Sequence, residues 1–177
     1  MRRVSPTRRA LIGLMACSVL TAACSQQDIG LPTLLMLTQS PPCAVTPTES
    51  LLPQIVGEGA GADPAWVVSG GQTVAWTARG VKTLWIFKTR SRVRVIGHEV
   101  TTGATLRFQR HGLNGPIEDE MTIDNPRRES VLPGGATREL LDTYSFITSS
   151  VFYPDPGCYR FDIDIERSTR RITVRVK

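Results

Sequence analysis

Residues 159–166 alternate without a break, with Tyr159, Phe161, Ile163 and Ile165 on one side and Arg160, Asp162, Asp164 and Glu166 on the other. A period of two marks a strand with one buried face. After RSTR at 167–170 the alternation resumes, with Ile172, Val174 and Val176 set against Arg171, Thr173, Arg175 and Lys177. A four-residue loop would pair Glu166 with Arg171, Asp162 with Arg175 and Ile163 with Val174. Both faces then agree at one register, and the two runs read as an antiparallel hairpin.

The same signal returns in short pieces from Ala65 onward: AWVVSG, QTVAWTA, TLWIFKT, RVRVIGHEV and ATLRFQR. They are rich in β-branched and aromatic residues and are separated by Gly, Ser and Thr. In RVRVI, Val93 and Val95 face one way, Arg92 and Arg94 the other. Segment 43–64 is rich in Pro and Gly. Its GEGAGAD stretch at 57–63 lacks the Lys-Ser/Thr of a phosphate-binding loop, and a plain loop is expected there. GLNGP (112–116) and LPGG (132–135) are turn sequences. Residues 117–143 carry the weakest pattern. One or two strands are expected, together with a short helical turn on which Leu140, Leu141 and Tyr144 share a face. Many short strands and little helix predict an all-β, two-sheet antiparallel sandwich over 43–177, since a single open sheet would leave its apolar face bare.

The N-terminus changes the picture of charge. Arg2, Arg3, Arg8 and Arg9 precede an uncharged, mostly apolar run at 10–23, too short for a comfortable membrane span. Residues 1–23 therefore read as a signal peptide. The run Leu20-Thr21-Ala22-Ala23-Cys24 resembles a bacterial lipobox, with Leu20 one place further from the cysteine than usual. It implies cleavage before Cys24 and a lipid on the Cys24 thiol; ordinary secretion is the alternative. Cys17 heads a poorer lipobox with a much shorter apolar core. Residues 24–42 would be a lipidated tether, with an apolar stretch at 29–37 that could pack on the domain or on the lipid. The whole chain has 21 Lys+Arg and 16 Asp+Glu; without the four leader arginines it has 17 against 16, net +1. Global charge then gives no argument for nucleic acid.

With Cys17 lost and Cys24 lipidated, Cys43 and Cys158 remain as an even pair in an oxidising setting. A disulfide between them is the expectation, and alternation puts Cys158 on the face opposite the core row.

Asp155-Pro-Gly157-Cys158-Tyr159-Arg-Phe161 resembles the Asp-x-Gly-x-Tyr corner of immunoglobulin-like domains. The resemblance implies that Tyr159 starts the penultimate strand and ties its hydroxyl back to the preceding loop. The usual cysteine two places on is Phe161 here, so the bond that crosses antibody sandwiches is absent. FYPDPGCYRF with ITVRVK, and Cys43-Ala44-Val45-Thr46 near the start, resemble a group of uncharacterised bacterial lipoproteins whose C-terminal phrase is of the type Phe-Pro-x-x-Gly-Cys-Trp. That resemblance covers most of 43–177. It implies a secreted immunoglobulin-like sandwich with a Cys43–Cys158 staple, and no activity.

Candidate chemistry is sparse. The histidines are His98 and His111, both read as exposed loop residues, and no Gly-x-Ser-x-Gly elbow or His-Glu-x-x-His pair occurs. Asp162, Asp164 and Glu166 lack the wrap-around loop of a calcium site. No metal or other cofactor is expected. Lys88, Arg90, Arg92 and Arg94 recur at every second position, and with Arg107 and Arg110 they form a candidate positive patch. Such a patch would suit an anionic envelope polymer or an acidic protein partner. Trp66, Trp76 and Trp85 are expected mainly in the core, with a sugar-stacking platform as the alternative. The functional expectation is a lipid-anchored, extracytoplasmic, non-catalytic binding or structural module of the bacterial envelope. The alternatives are an extracellular protease inhibitor, with GEGAGADP, HGLNGP or PRRES as its wedge, and a hydrolase built on one of the histidines.

Overall fold

The computed structural model describes residues 43–51, 56–69, 73–110, 115–131, 133–134 and 137–177. Leader, tether and Cys24 lie outside the described residues. Twelve strands are described: β1 (Thr48–Leu51), β2 (Gly57–Ala62), β3 (Ala65–Val68), β4 (Thr73–Val74), β5 (Val81–Phe87), β6 (Val93–Glu99), β7 (Arg107–Arg110), β8 (Ile117–Glu118), β9 (Glu120–Ile123), β10 (Ser145–Phe152), β11 (Gly157–Ile165) and β12 (Ser168–Val176). Two short helices, α1 (Pro126–Glu129) and α2 (Arg138–Thr143), precede β10. One sheet runs β1-β2-β3-β5-β10-β7-β8, the other β4-β12-β11-β6-β9. The fold is an all-β sandwich. It departs from a purely antiparallel one at β4, which lies parallel to β12, because the chain leaves β3 in one sheet and enters the other beside its last strand.

β11 sits in the middle of its sheet, between β12 and β6. Tyr159, Phe161, Ile163 and Ile165 are all buried, as their alternation demands. Phe161 meets Trp85 of the facing sheet edge-on, centroids 5.1 Å apart at 85°, and Phe108 closes the trio at 6.2 Å from Trp85 and 6.4 Å from Phe161. Trp85 is fully buried, so its indole N–H needs an acceptor, which Ser149 Oγ supplies at 2.8 Å.

The hairpin register differs from the one expected. Asp162 faces Arg171 rather than Arg175, while Val174 faces Tyr159 and Ile172 faces Phe161. The turn is only Glu166 and Arg167, with Glu166 in the left-handed region at φ 55°. The tight turn lets the ladder continue to Ile165↔Ser168, rows that a longer loop would forfeit. The slip is an even number of residues, so each side chain keeps its face.

GEGAGAD is not a loop. Residues 57–62 form β2, paired to β1 and β3. Its glycines serve close packing: a Cβ on Gly59 would stand 3.1 Å from Leu51 Cδ1, and one on Gly61 (φ 135°) would stand 2.4 Å from the Ala65 carbonyl oxygen. The weakly patterned region 117–143 holds β8, β9 and both helices. Pro126 at the start of α1 is buried. On the outer side of the larger sheet, Leu141 and Tyr144 join a second apolar cluster of Leu51, Trp66, Ile86 and Phe146. Phe146 and Ile147 are both buried on successive positions because this sheet is covered on both faces there.

Truncating Phe161 to Ala should cost about 3–5 kcal/mol, read as a lower urea midpoint with little change in slope. Ile117→Ala, at an exposed position, should stay within about 0.5 kcal/mol of the parent.

Candidate functional site

The four cations of the candidate patch do not share a strand face. β5 ends at Phe87 and β6 begins at Val93, and the connection folds on itself, with Thr89 Oγ1 accepting from the Ser91 N–H at 3.1 Å. A hydroxyl-capped turn therefore interrupts the alternation. Three of the four are matched to acids: Lys88 to Asp63 at 2.7 Å, Arg92 to Asp124 at 3.3 Å, and Arg94 to Glu120 at 2.5 Å and Asp164 at 3.8 Å. Arg90 is exposed, with no acidic partner among the described residues. Shallow clefts of about 360 and 460 Å³ flank the connection, and Glu166 lines both. Arg107 and Arg110 belong to β7 in the other sheet, and Arg110 pairs with Glu129 at 2.9 Å. The surface around 88–94 is thus a mosaic of both signs. The Glu120 carboxyl is held below its ordinary range, mainly by the Arg94 hydrogen bond, and the same contact raises Arg94.

Asp162 is the hub of a second charged group on the outer face of β11. Arg171 Nε donates to it at 3.2 Å, Arg160 Nε forms a longer ion pair at 3.7 Å, and His98 Nδ1 lies 3.8 Å away. His98 is therefore no exposed loop residue. It lies on β6 with its side chain 25% exposed. It has a carboxylate neighbour, as a hydrolase would require, but that carboxylate is shared with two arginines. No hydroxyl nucleophile is hydrogen-bonded to His98 among the described residues. His111 lies outside them. Among the described residues no group of three or more His, Cys, Asp or Glu side chains is close enough to hold a metal ion.

The corner preceding β11 is tightly tied. Tyr159 Oη donates to the Asp155 carbonyl oxygen at 2.6 Å and accepts from the Asp155 N–H at 3.3 Å. Burial pushes the Tyr159 hydroxyl up from its ordinary range. Gly157 opens the strand beside Glu99. Burial pushes the Glu99 carboxyl up, but the Thr102 and Thr101 amides that it accepts from outweigh this and hold it low. Next to the corner, Cys43 and Cys158 are joined, Cα–Cα 5.6 Å, across a separation of 115 residues. Cys158 is only half-buried, so the bond staples the outside of the strand and does not cross the sandwich.

Of the segments that would form an inhibitory wedge, Gly57–Ala62 is an internal strand and Pro126–Glu129 is a helix. Residues 111–114 of the third lie outside the described residues.

The tryptophans separate into two kinds. Trp85 is in the core, and Trp66 is buried, donating to Glu49 at 2.9 Å and meeting Tyr144 edge-on at 6.2 Å. Trp76 is 38% exposed. It lines a cleft of about 230 Å³ with Thr105, Arg107, Phe152 and Pro154. A cation and a tryptophan do share a groove, but the cation is Arg107.

No protein-family model matches the chain, and no curated protein matches its sequence. Among solved structures it is similar to a candidate lipoprotein from Bacillus anthracis, with a TM-score of 0.44 and 14% identity over 85% of this chain and 99% of that one.

The Arg94–Glu120 contact fixes a sign for pH. A carboxyl whose pKa is lower folded than unfolded adds stability above its unfolded pKa and loses it as pH falls through the folded value. Carboxyl-carbon NMR titration should place Glu120 below an ordinary glutamate, and Arg94→Met should return it to that range.

Proposed function

We propose that this chain is an exported, lipid-anchored, non-catalytic β-sandwich that acts as a binding or structural module of the bacterial cell envelope. The observation that carries this reading is the Cys43–Cys158 disulfide. Structural disulfides persist in oxidising compartments and are rare in the cytosol. The basic n-region, the apolar run at 10–23 and the lipobox-like run ending at Cys24 support the same destination. The bond joins the beginning of the sandwich to its penultimate strand, so a tether at 24–42 would pull on a stapled point.

The non-catalytic part rests on chemistry. His98 has no nucleophile partner among the described residues, and the acids of β11 are occupied by arginines. The disulfide excludes Cys158 as a thiolate. At 88–94 three of the four cations already face acids, which leaves Arg90 alone there, among the described residues, to meet an anionic ligand.

Mass spectrometry of the exported chain should give an N-terminus at Cys24 carrying diacylglycerol. Cys24→Ser should release the protein from membranes. An unlipidated N-terminus elsewhere would replace the anchor by free secretion. In the same preparation, the paired Cys43→Ser and Cys158→Ser variant should lose roughly 4–5 kcal/mol of stability in the chain-entropy model while keeping its β-type circular dichroism.

A further inference from the structure

The Trp76 cleft has the features of a small ligand site, and its parts are held in place independently of any ligand. β4 contributes only Thr73 and Val74 before the chain crosses to the other sheet, and Trp76 lies on that crossing. Its backbone N–H donates to the Lys177 carbonyl oxygen at 2.7 Å, and its indole N–H donates to the Tyr153 carbonyl oxygen at 3.0 Å. The side chain is therefore fixed while much of its surface is exposed. An exposed tryptophan on a mobile loop would lose rotamer freedom on binding; this one has already lost it.

Phe152 and Arg107 are register partners on adjacent strands and so present their side chains on the same face. Phe152 is backed by Gly80, where a Cβ would stand 3.0 Å from its ring. Gly80 also has φ 81°, so the turn that brings the backbone against Phe152 requires glycine twice over. Arg107 is exposed and has no ion-pair or hydrogen-bond partner among the described residues, unlike Lys88, Arg92 and Arg94. The exposed Thr105 adds a hydroxyl.

An exposed indole, a guanidinium without a partner among the described residues and a hydroxyl around about 230 Å³ match one chemistry. The axial C–H groups of a pyranose ring offer weakly positive hydrogens to the negative face of an aromatic ring. A carboxylate or phosphate on the same sugar matches the fork of an arginine. We infer that the Trp76–Arg107 cleft binds a sugar ring carrying an anionic group, as one residue of an acidic polysaccharide. The inference deepens the proposed role as an envelope binding module and rests on it for biological context. Its test is made in solution, so failure of the lipid anchor would leave the result unaffected.

Trp66 and Trp85 are buried, so a neutral collisional quencher such as succinimide reports chiefly on Trp76. With the secreted Cys24→Ser chain, tetragalacturonate should protect the emission from quenching, and maltotetraose should do so at least about tenfold more weakly. Arg107→Gln, at an exposed position, should bring the acidic ligand down to the neutral level without altering the melting temperature. Trp76→Phe should weaken both ligands, and Arg90→Gln should change neither. Mannose 6-phosphate acting in place of galacturonate would also support the inference, with phosphate as the anionic group. The inference is overturned if neither sugar protects Trp76 at millimolar concentration. It is also overturned if Arg107→Gln leaves the acidic preference intact, or if tetraglutamate protects as well as the uronate does.

Discussion

Phe161 against Trp85 is the contact on which the two sheets depend. Each ring belongs to a central strand of its own sheet, and neither has any exposed surface. An edge-to-face pair across the interior fixes the sheet spacing as well as the burial, because the favourable geometry is lost if either ring slides. Phe108 and Tyr153 then pack on the same two-sheet seam, and the Ser149 hydroxyl can satisfy the indole only in that position. The contacts that join the two sheets here are those of an aromatic cluster. The Cys43–Cys158 disulfide acts elsewhere, on the outside of β11.

The legible parts of the fold share one property: a strand with one wet and one dry face. β11, β12 and β6 are of this kind, and their alternation survives even an error in pairing, since the hairpin slip is even. The illegible parts break that property in different ways. β2 has almost no side chains to alternate, so Gly59 and Gly61 conceal a strand whose reason is close approach. β10 opens with Ser145, Phe146 and Ile147 all buried, because the cluster beneath α2 covers its second face. A strand covered twice loses its period.

The cation spacing at 88–94 failed for a third reason. Period two implies a common face only inside one strand, and nothing in the spacing says where a strand stops. Thr89 and Ser91 were the available signal, since hydroxyl residues hydrogen-bond the local backbone and favour turns. The acids that neutralise Lys88, Arg92 and Arg94 come from Asp63, Asp124, Glu120 and Asp164, each distant in sequence or brought close only by the sheet.

Topology, rather than composition, sets the candidate site apart. Three tryptophans are chemically equivalent in a sequence, yet topology treats them differently. Trp66 and Trp85 sit on strand faces that other side chains cover, the outer cluster with Tyr144 over Trp66 and the sandwich core over Trp85, so their indoles are buried and find partners inside. Trp76 follows a strand of two residues at the point where the chain passes between sheets. It has no strand neighbour to cover it, but two hydrogen bonds to hold it. Burial and fixation are usually won together in a β-sandwich; at Trp76 the topology separates them, which leaves a rigid aromatic surface in water. Arg107 is the corresponding case among the cations, exposed and unmatched among the described residues across from Phe152, while Lys88, Arg92 and Arg94 face carboxylates. A binding surface built from these two residues requires little reorganisation, because neither must first give up a partner within the described fold.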